Sequence, residues 1–520
     1  MNISREQILE DESGTPRSSA SGMVIGLAWP NTYAVGMSSL GFHLIWQELV
    51  CAGFRVRRLF WESGALFCPE NDHPLESLDL IAFSVAFELD YLHILDMIQV
   101  CGLQIEAKNR RPSDPLVMAG GVAVSVNRHP LYPFVDILLH GEGEALLPQI
   151  ISLFQKHADY RLSTHKRQAL LESLAELPGV ELTPGAWQKG DPSISFDWDD
   201  PKAYEKSRDI PPLPNLAPVI QQNLSGSPLV STTVSPHAGL GRRILAEIAR
   251  GCPHHCTFCW LGQNCRAFCA RPAAEIIAQC EAAFEQTDCD SVGLISAAVG
   301  AHPEIESICE QLLHQDRKIS FSSLRVEEIR PIMLDALVRS GQRGLTLAPE
   351  TGSVRLRRRL AKAIEDEVFF TAIRRAQEAG LMEIKLYFMV GLPEEEDEDI
   401  AAIPAFIKNA HRIMLEYGRP RGQLGILGVN LGIYVPKPNT PLSQSSRPSW
   451  NQIRKRAAKV SRILAAMPNV QVNAPSMDQA VAQYILSNGG FESAVFLRRV
   501  WQEKGHWRSI TRPLIRNSLA

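Results

Sequence analysis

Three cysteines within one short stretch carry the strongest chemical signal in the chain: Arg250-Gly251-Cys252-Pro253-His254-His255-Cys256-Thr257-Phe258-Cys259, a C-x3-C-x2-C spacing. Thiolates at that spacing are soft metal ligands presented from a single loop. A closed structural zinc site needs four protein ligands, and an electron-transfer [4Fe-4S] cluster usually takes four cysteines. This loop supplies three thiolates and no obvious fourth. One iron of a cluster held here would stay open to bind something else, which suits catalysis at the metal. Zinc remains an alternative, with His254, His255, Cys265 or Cys269 as fourth ligand. Nothing near Cys265 and Cys269 completes a second cluster, so they read as small apolar thiols.

The elements around the loop place it where chemistry belongs. Apolar strands are expected at residues 244–248, 291–294, 318–322, 343–347, 384–390 and 430–434, with helices at 272–286, 304–314, 331–340, 366–379 and 397–411. Six strands alternating with helices predict an α/β fold, a partial (β/α)6 barrel, whose chemistry sits at the carboxyl ends of the strands. The cysteine loop follows the first of these strands directly. Upstream, strands at 23–28, 78–85, 116–118 and 135–139 alternate with helices at 40–52 and 91–101, the cadence of a doubly wound, Rossmann-like sheet. Its strand-end loops fall at 29–39, 86–90, 120–126 and 140–144, where open sheets of this type take their ligands. Pro-Pro-Leu-Pro and Ser-Gly-Ser-Pro within 184–237 mark a linker. The expected organisation is an extended or disordered terminus (1–22), a Rossmann-type domain (23–165), a linker (166–240), the barrel (241–448) and a small helical C-terminal extension (449–520).

Composition excludes several classes. The chain of 520 residues has 53 basic and 57 acidic residues, interspersed, for a net charge of −4, so there is no clear nucleic-acid signal and no anionic-membrane signal. The start is polar and lacks the apolar core of a signal peptide, and no apolar run is long enough to span a bilayer. A cytoplasmic location is the expectation. Eleven cysteines without an export signal argue against a disulfide framework.

The cysteine loop, with Phe258 before its last cysteine, resembles the signature of the radical S-adenosylmethionine (SAM) superfamily. Further blocks are similar to one subgroup of it, uncharacterised proteins with an amino-terminal cobalamin-binding-like domain. They are Gln342-Arg343-Gly344-Leu345-Thr346-Leu347-Ala348-Pro349-Glu350-Thr351-Gly352-Ser353, then Lys385 to Pro393, then Tyr434 to Pro441. The resemblance implies that Cys252, Cys256 and Cys259 ligate three irons of a [4Fe-4S] cluster and that SAM chelates the fourth. One electron then cleaves SAM to methionine and a 5′-deoxyadenosyl radical. It further implies SAM contacts from Phe258, from Ser296 at the amino group, and from Ser323 and Arg325 at the methionine moiety. Glu350 would take a ribose hydroxyl or the amino group, with Gly391 and Val435 near the adenosyl group. Arg355, Arg357, Arg358 and Arg359 form a basic run that reads as a solvated helix face, one of them a candidate partner of the SAM carboxylate.

In the first domain Ser39, Gly41, Ser84, Gly120, Gly121, Gly141 and Glu142 occupy positions similar to the cobalamin-binding loops, although the Asp-x-His-x-x-Gly motif is absent. The resemblance thus implies SAM, the cluster and a candidate cobalamin as cofactors, and a reducing electron donor of flavodoxin or ferredoxin type as partner. It leaves the substrate unknown. Three functions are compatible with the sequence: a SAM-cleaving radical enzyme, with methyl transfer if cobalamin is bound; a cobalamin-free radical enzyme modifying RNA or a peptide; and a zinc-stabilised scaffold without activity.

Overall fold

The computed structural model describes residues 4–16, 18, 22–70, 75–185, 198, 200, 202–214 and 216–517. The chain forms two compact units. One comprises Met1–Ile244, Ala282–Cys289 and Ile485–His506; the other comprises Leu245–Glu281, Asp290–Tyr484 and Trp507–Ala520.

The first unit is built on a sheet of β1 (Val24–Trp29), β2 (Arg55–Glu62), β3 (Ala65–Phe67), β4 (Leu80–Ser84), β5 (Leu116–Gly120), β6 (Ile137–Leu139) and β7 (Val180–Leu182), in the order β3-β2-β1-β4-β5-β6-β7. The five central strands are parallel, and β3 and β7 close the edges antiparallel. Strand order reverses between β1 and β4, the point at which a doubly wound sheet opens its crevice. Strand β1 is apolar on both faces because both are covered, and five of its six residues are buried. Helices α1 (Arg5–Asp11), α2 (Leu40–Cys51), α3 (Tyr91–Val100), α4 (Gly143–Lys156) and α5 (Thr164–Ala175) belong to the same unit. The Ser39 side chain caps α2 by accepting the Phe42 N–H.

Three features differ from the sequence reading. Residues 5–11 form a capped helix rather than an extended terminus. Most of α5 and the edge strand β7 of this sheet fall inside 166–240, the span expected as linker; residues 186–197 of that span lie outside the described residues. Strand β2 has no counterpart among the expected strands, because Arg55, Arg57 and Arg58 interrupt its apolar pattern. Arg57 and Arg58 are nevertheless buried. Arg58 pairs with Glu12 at 2.6 Å and Glu70 at 2.5 Å and lies over the Trp46 ring, so its charge is compensated on every side.

The second unit contains the expected barrel strands: β8 (Ile244–Glu247), β11 (Ser291–Ile295), β12 (Lys318–Phe321), β13 (Gly344–Glu350), β14 (Glu383–Val390) and β15 (Ile426–Ile433), with a further parallel strand β16 (Val470–Asn473) within the C-terminal extension. They form two sheets, β12-β11-β8 and β13-β14-β15-β16. A small antiparallel pair, β9 (Ala249–Arg250) and β10 (Cys269–Ala270), closes the base of the cysteine loop. Alternate residues of β14, Ile384, Leu386, Phe388 and Val390, are buried while Glu383, Lys385 and Tyr387 are exposed, the period of two that one covered face requires. Helices α6 (Ala273–Thr287), α7 (Ile305–His314), α8 (Pro331–Arg339), α9 (Val354–Arg359), α10 (Asp366–Ala379), α11 (Asp397–Gly418) and α12 (Trp450–Ala465) alternate with these strands. The acidic run before α11 opens it through a capping box of Glu396 and Asp399. Three helices follow: α13 (Met477–Asn488), α14 (Glu492–Gln502), which belongs to the first unit, and α15 (Trp507–Asn517). Among the described residues no helix is long and apolar enough to cross a membrane, and no disulfide joins any of the eleven cysteines.

Candidate functional site

The cysteine loop leaves the barrel immediately after β8 and β9. Gly251 turns it with φ +79°, where a Cβ would fall 2.5 Å from the Arg266 carbonyl, so only glycine fits. The loop is tied down along its length. His254 Nε2 lies 2.5 Å from Glu328 Oε1. The Cys259 N–H donates to the Cys256 carbonyl at 3.1 Å, and Thr257 donates its N–H to Leu360 O and its hydroxyl to Arg359 O, both at 3.1 Å. The Phe258 ring packs against the cluster of Leu356, Leu360, Leu392, Tyr434 and Leu442, fixing the loop to the segments after β13, β14 and β15. Cys256 is buried and Cys252 and Cys259 are half-buried. Burial raises the Cys252 and Cys256 thiols above the usual cysteine range; at Cys256 the positive charges of Arg325 and Lys362 oppose it. Among the described residues no three His, Cys, Asp or Glu side chains are close enough to hold one metal ion. A cubane distributes its thiolates over separate irons and needs no such convergence. Three cysteines on one braced loop, faced by cations, fit a cluster that carries negative charge.

The other site residues sit at the following strand ends. Arg325, after β12, donates from Nη1 to Cys256 Sγ at 3.5 Å and from Nε to Glu327 at 2.8 Å. Glu350 ends β13 in the left-handed region, φ +67°, beside a register shift between Leu347 and Glu350. A non-glycine residue in that conformation is held by its surroundings. Lys362, a buried lysine, donates to Glu350 Oε1 at 2.9 Å and to the Ala348 carbonyl at 2.7 Å. Gly391, after β14, has φ +93°, and its N–H donates to both oxygens of buried Glu395 at 3.2 and 3.0 Å. Arg456 of α12 donates to the same carboxylate at 3.2 Å, although burial, the larger influence, pushes Glu395 up to about 7. Val435 is half-buried just past β15, where the Tyr434 N–H donates to the Val390 carbonyl and joins this strand end to that of β14. Ser296 and Ser323 stand at neighbouring strand ends, but the Ser296 hydroxyl serves its own turn, accepting from Ala298 N–H at 3.3 Å. Ser323 is exposed.

Within the arginine run Arg355, Arg358 and Arg359 are exposed, as a solvated face requires, and Arg357 is the exception. Arg357 is fully buried, donating to Thr351 O, Ile364 O and Asp366, and is part of the frame rather than a solvated face. Arg355 pairs with Asp399, Arg358 with Glu365 and Arg359 with Glu394, so all four have protein partners. The cation that touches a cysteine is Arg325, and the buried cation at the end of β13 is Lys362. No spacing in the sequence marked it: it follows Leu360-Ala361, with Ala361 at φ +52°, outside any helix or strand. Cys265 is exposed rather than buried, and Cys269 lies half-buried in β10.

In the first unit a cavity of about 220 Å³ lies between the sheet and helices α2 and α4. Alternate residues of the strands, Ile25 and Leu27, Leu80 and Ala82, and Met118, give one wall; Ile45, Leu49, Leu147, Ile150 and Phe154 give the other. Five of the seven loop residues anticipated here, Gly41, Ser84, Gly120, Gly121 and Gly141, line the same cavity. Gly121 and Gly141 have φ +110° and +138°, and a Cβ on either would strike a backbone atom at 2.5 or 2.3 Å. Ser39 and Glu142 have other roles: Ser39 caps α2, and Glu142 accepts from the Gln221 N–H at 2.8 Å. The C-terminal stretch returns to this unit, where Asn127 donates to the carbonyls of Leu486 and Gly489 and Ser487 donates to Glu88 at 3.0 Å.

Residues 246–407 match the family described as the radical SAM superfamily, and residues 57–182 match that described as radical SAM proteins, N-terminal. The second match ends at the last residue of β7. An uncharacterised protein of Methanocaldococcus jannaschii, MJ0966, is 25% identical over 468 residues, covering 89% of this chain and 88% of that protein. The radical SAM methyltransferase TsrM of Kitasatospora setae, solved with cobalamin and a [4Fe-4S] cluster, shares the fold at a TM-score of 0.53 and 13% identity. The match covers 94% of this chain and all of TsrM. TsrM with tryptophan and a SAM analogue matches equally, over 95% of this chain and 99% of that one. With these two family matches, at residues 57–182 and 246–407, the chain carries radical SAM superfamily domains and is an enzyme of unknown substrate.

Proposed function

We propose that this enzyme cleaves SAM at a [4Fe-4S] cluster held by Cys252, Cys256 and Cys259, and that it binds a corrinoid in its amino-terminal unit for methyl transfer. The braced cysteine loop at the end of β8 carries the first part. The apolar cavity lined by the strand-end glycines supports the second: an apolar slot suits a flat heteroaromatic base, and residues without side chains let a macrocycle approach the backbone.

When bound, the cluster supplies the electron that breaks the SAM sulfonium bond, and the corrinoid supplies a methyl carrier. The chain's own residues bind and orient. Glu350, fixed by Lys362, presents a carboxylate to a ribose hydroxyl or the amino group of SAM, an acceptor role. Arg325 and the Ser296 and Ser323 loops face the methionine moiety. Gly391, held by Glu395, lets the backbone approach the adenosyl group, and Val435 lies against adenine. Phe258 and its apolar neighbours exclude water beside the cluster. The electron comes from a flavodoxin- or ferredoxin-type donor, and the setting is cytoplasmic.

Anaerobic purification and reconstitution test this reading. Iron, sulfide and corrinoid should be retained together, and dithionite with SAM should yield 5′-deoxyadenosine. A fully loaded cluster that yields none rejects the cleavage proposal. Iron and cleavage without corrinoid favour the cobalamin-free enzyme, and stoichiometric zinc without iron favours the scaffold.

A further inference from the structure

The segment after α9 is laced to the cysteine loop. Thr257, next to Cys256, donates to the carbonyls of Arg359 and Leu360, and the Leu442 N–H donates back to the Thr257 carbonyl, each at 3.1 Å. Ala361 then turns the chain in the left-handed region, and Lys362 N–H donates to Arg357 O at 2.9 Å, with Arg357 itself locked in the core. This geometry leaves the Lys362 ammonium almost no freedom. Its side chain is 8% exposed and is aimed at Glu350 and the Ala348 carbonyl. A lysine buried to this degree is maintained against a desolvation cost and needs a compensating role. The Lys362–Glu350 pair answers part of that need. The rest comes from the other side: the hydrogen bonds from Thr257 to Arg359 and Leu360 seat the segment that carries this ammonium beside Cys256.

We propose that Lys362 is a positioning residue with two effects: it fixes Glu350 at the strained end of β13, and it raises the reduction potential of the cluster held by Cys252, Cys256 and Cys259. The proposal rests on the cluster reading above. Its physical basis is charge. One-electron reduction of the cluster from the 2+ to the 1+ state adds a negative charge next to buried Cys256, and a fixed cation nearby stabilises the reduced form more than the oxidised one. Arg325 acts in the same sense, but Glu327 shares its guanidinium. Glu350 acts in the opposite sense.

The test compares wild type, Lys362→Met, Lys362→Arg and Glu350→Gln after anaerobic reconstitution. Iron and sulfide per chain are counted first. A dithionite titration followed by electron paramagnetic resonance, without SAM, then gives the midpoint potential. At wild-type iron and sulfide, Lys362→Met is expected to disfavour reduction by roughly tenfold, about 59 mV for a one-electron couple. Lys362→Arg should recover most of that shift, and Glu350→Gln should move the potential upward. A fully loaded Lys362→Met with the wild-type potential overturns the proposal. If Lys362→Met does not load, Lys362→Gln decides: a lower potential supports the proposal, and the wild-type potential overturns it. A wild-type chain that takes up no iron and sulfide rejects the cluster reading itself, a separate failure.

Discussion

The cavity of the amino-terminal unit is walled by Leu27, Met118, Leu147 and Phe154 and lined at the strand ends by Gly120, Gly121 and Gly141, whereas the barrel's strand ends gather Cys256, Arg325, Glu350 and Lys362 in paired contacts. On the proposed reading one region takes its ligand by withholding side chains and charge, the other by concentrating them. Both sit on parallel strands in register, and both depend on backbone conformations that few residues adopt: φ +110° at Gly121 and +67° at Glu350. A shape-based site should therefore fail when it is filled, and a charge-based site when a ligand or charge is removed, each without disturbing the other.

The largest expected effect is at the ligands. Cys256→Ala should drop iron and sulfide from about four each per chain to near background and abolish 5′-deoxyadenosine formation, while corrinoid retention stays at the wild-type level. Metal analysis with the visible spectrum checks both halves. The mirror experiment fills the cavity. Ala82→Phe should lower corrinoid retained through purification by roughly tenfold or more with iron unchanged; overpacking of about 1–3 kcal/mol will also lower the thermal midpoint. Loss of iron in that variant would break the separation of the two sites.

Smaller effects sharpen the charge-based side. Glu350→Gln should weaken SAM binding to the reconstituted protein by roughly tenfold, the scale of a charge-assisted hydrogen bond, as read by equilibrium binding. Glu395→Gln should weaken it less, by about twofold to fivefold, because the amide still accepts from the Gly391 N–H and loses only the ionic part of its contact with Arg456. An effect of Glu395→Gln equal to that of Glu350→Gln would mean that the Gly391 turn matters as much as the carboxylate.

The sequence made most of this arrangement visible where periodicity or spacing exists. Alternation exposed the barrel strands, and C-x3-C-x2-C exposed the loop. Strand β2 escaped because Arg57 and Arg58 imitate a solvated segment, and only partners distant in sequence, Glu12 and Glu70 for Arg58, make their burial tolerable. Lys362 escaped for a related reason: a single lysine has no spacing, and its role depends on Ala361 turning it toward Glu350. In the run 355–359 the exposed Arg355, Arg358 and Arg359 follow the pattern, and Arg357, fully buried, escaped it for the same cause. Strand β16 was hidden by its brevity and by the helices on either side of it. The return of Ile485–His506 to the first unit rests on long-range contacts such as Asn127 to Leu486 and Gly489, which no local pattern encodes.

The central claim is that Cys252, Cys256 and Cys259 hold a cluster that cleaves SAM. It is tested most directly by reconstituting the full chain anaerobically, counting iron and sulfide, and measuring 5′-deoxyadenosine after addition of dithionite and SAM. The expected result is about four irons and four sulfides per chain with product in the wild type, and neither when the three cysteines are replaced by alanine. A fully loaded wild-type chain that forms no 5′-deoxyadenosine, or a triple-alanine chain that forms as much as wild type, would contradict it.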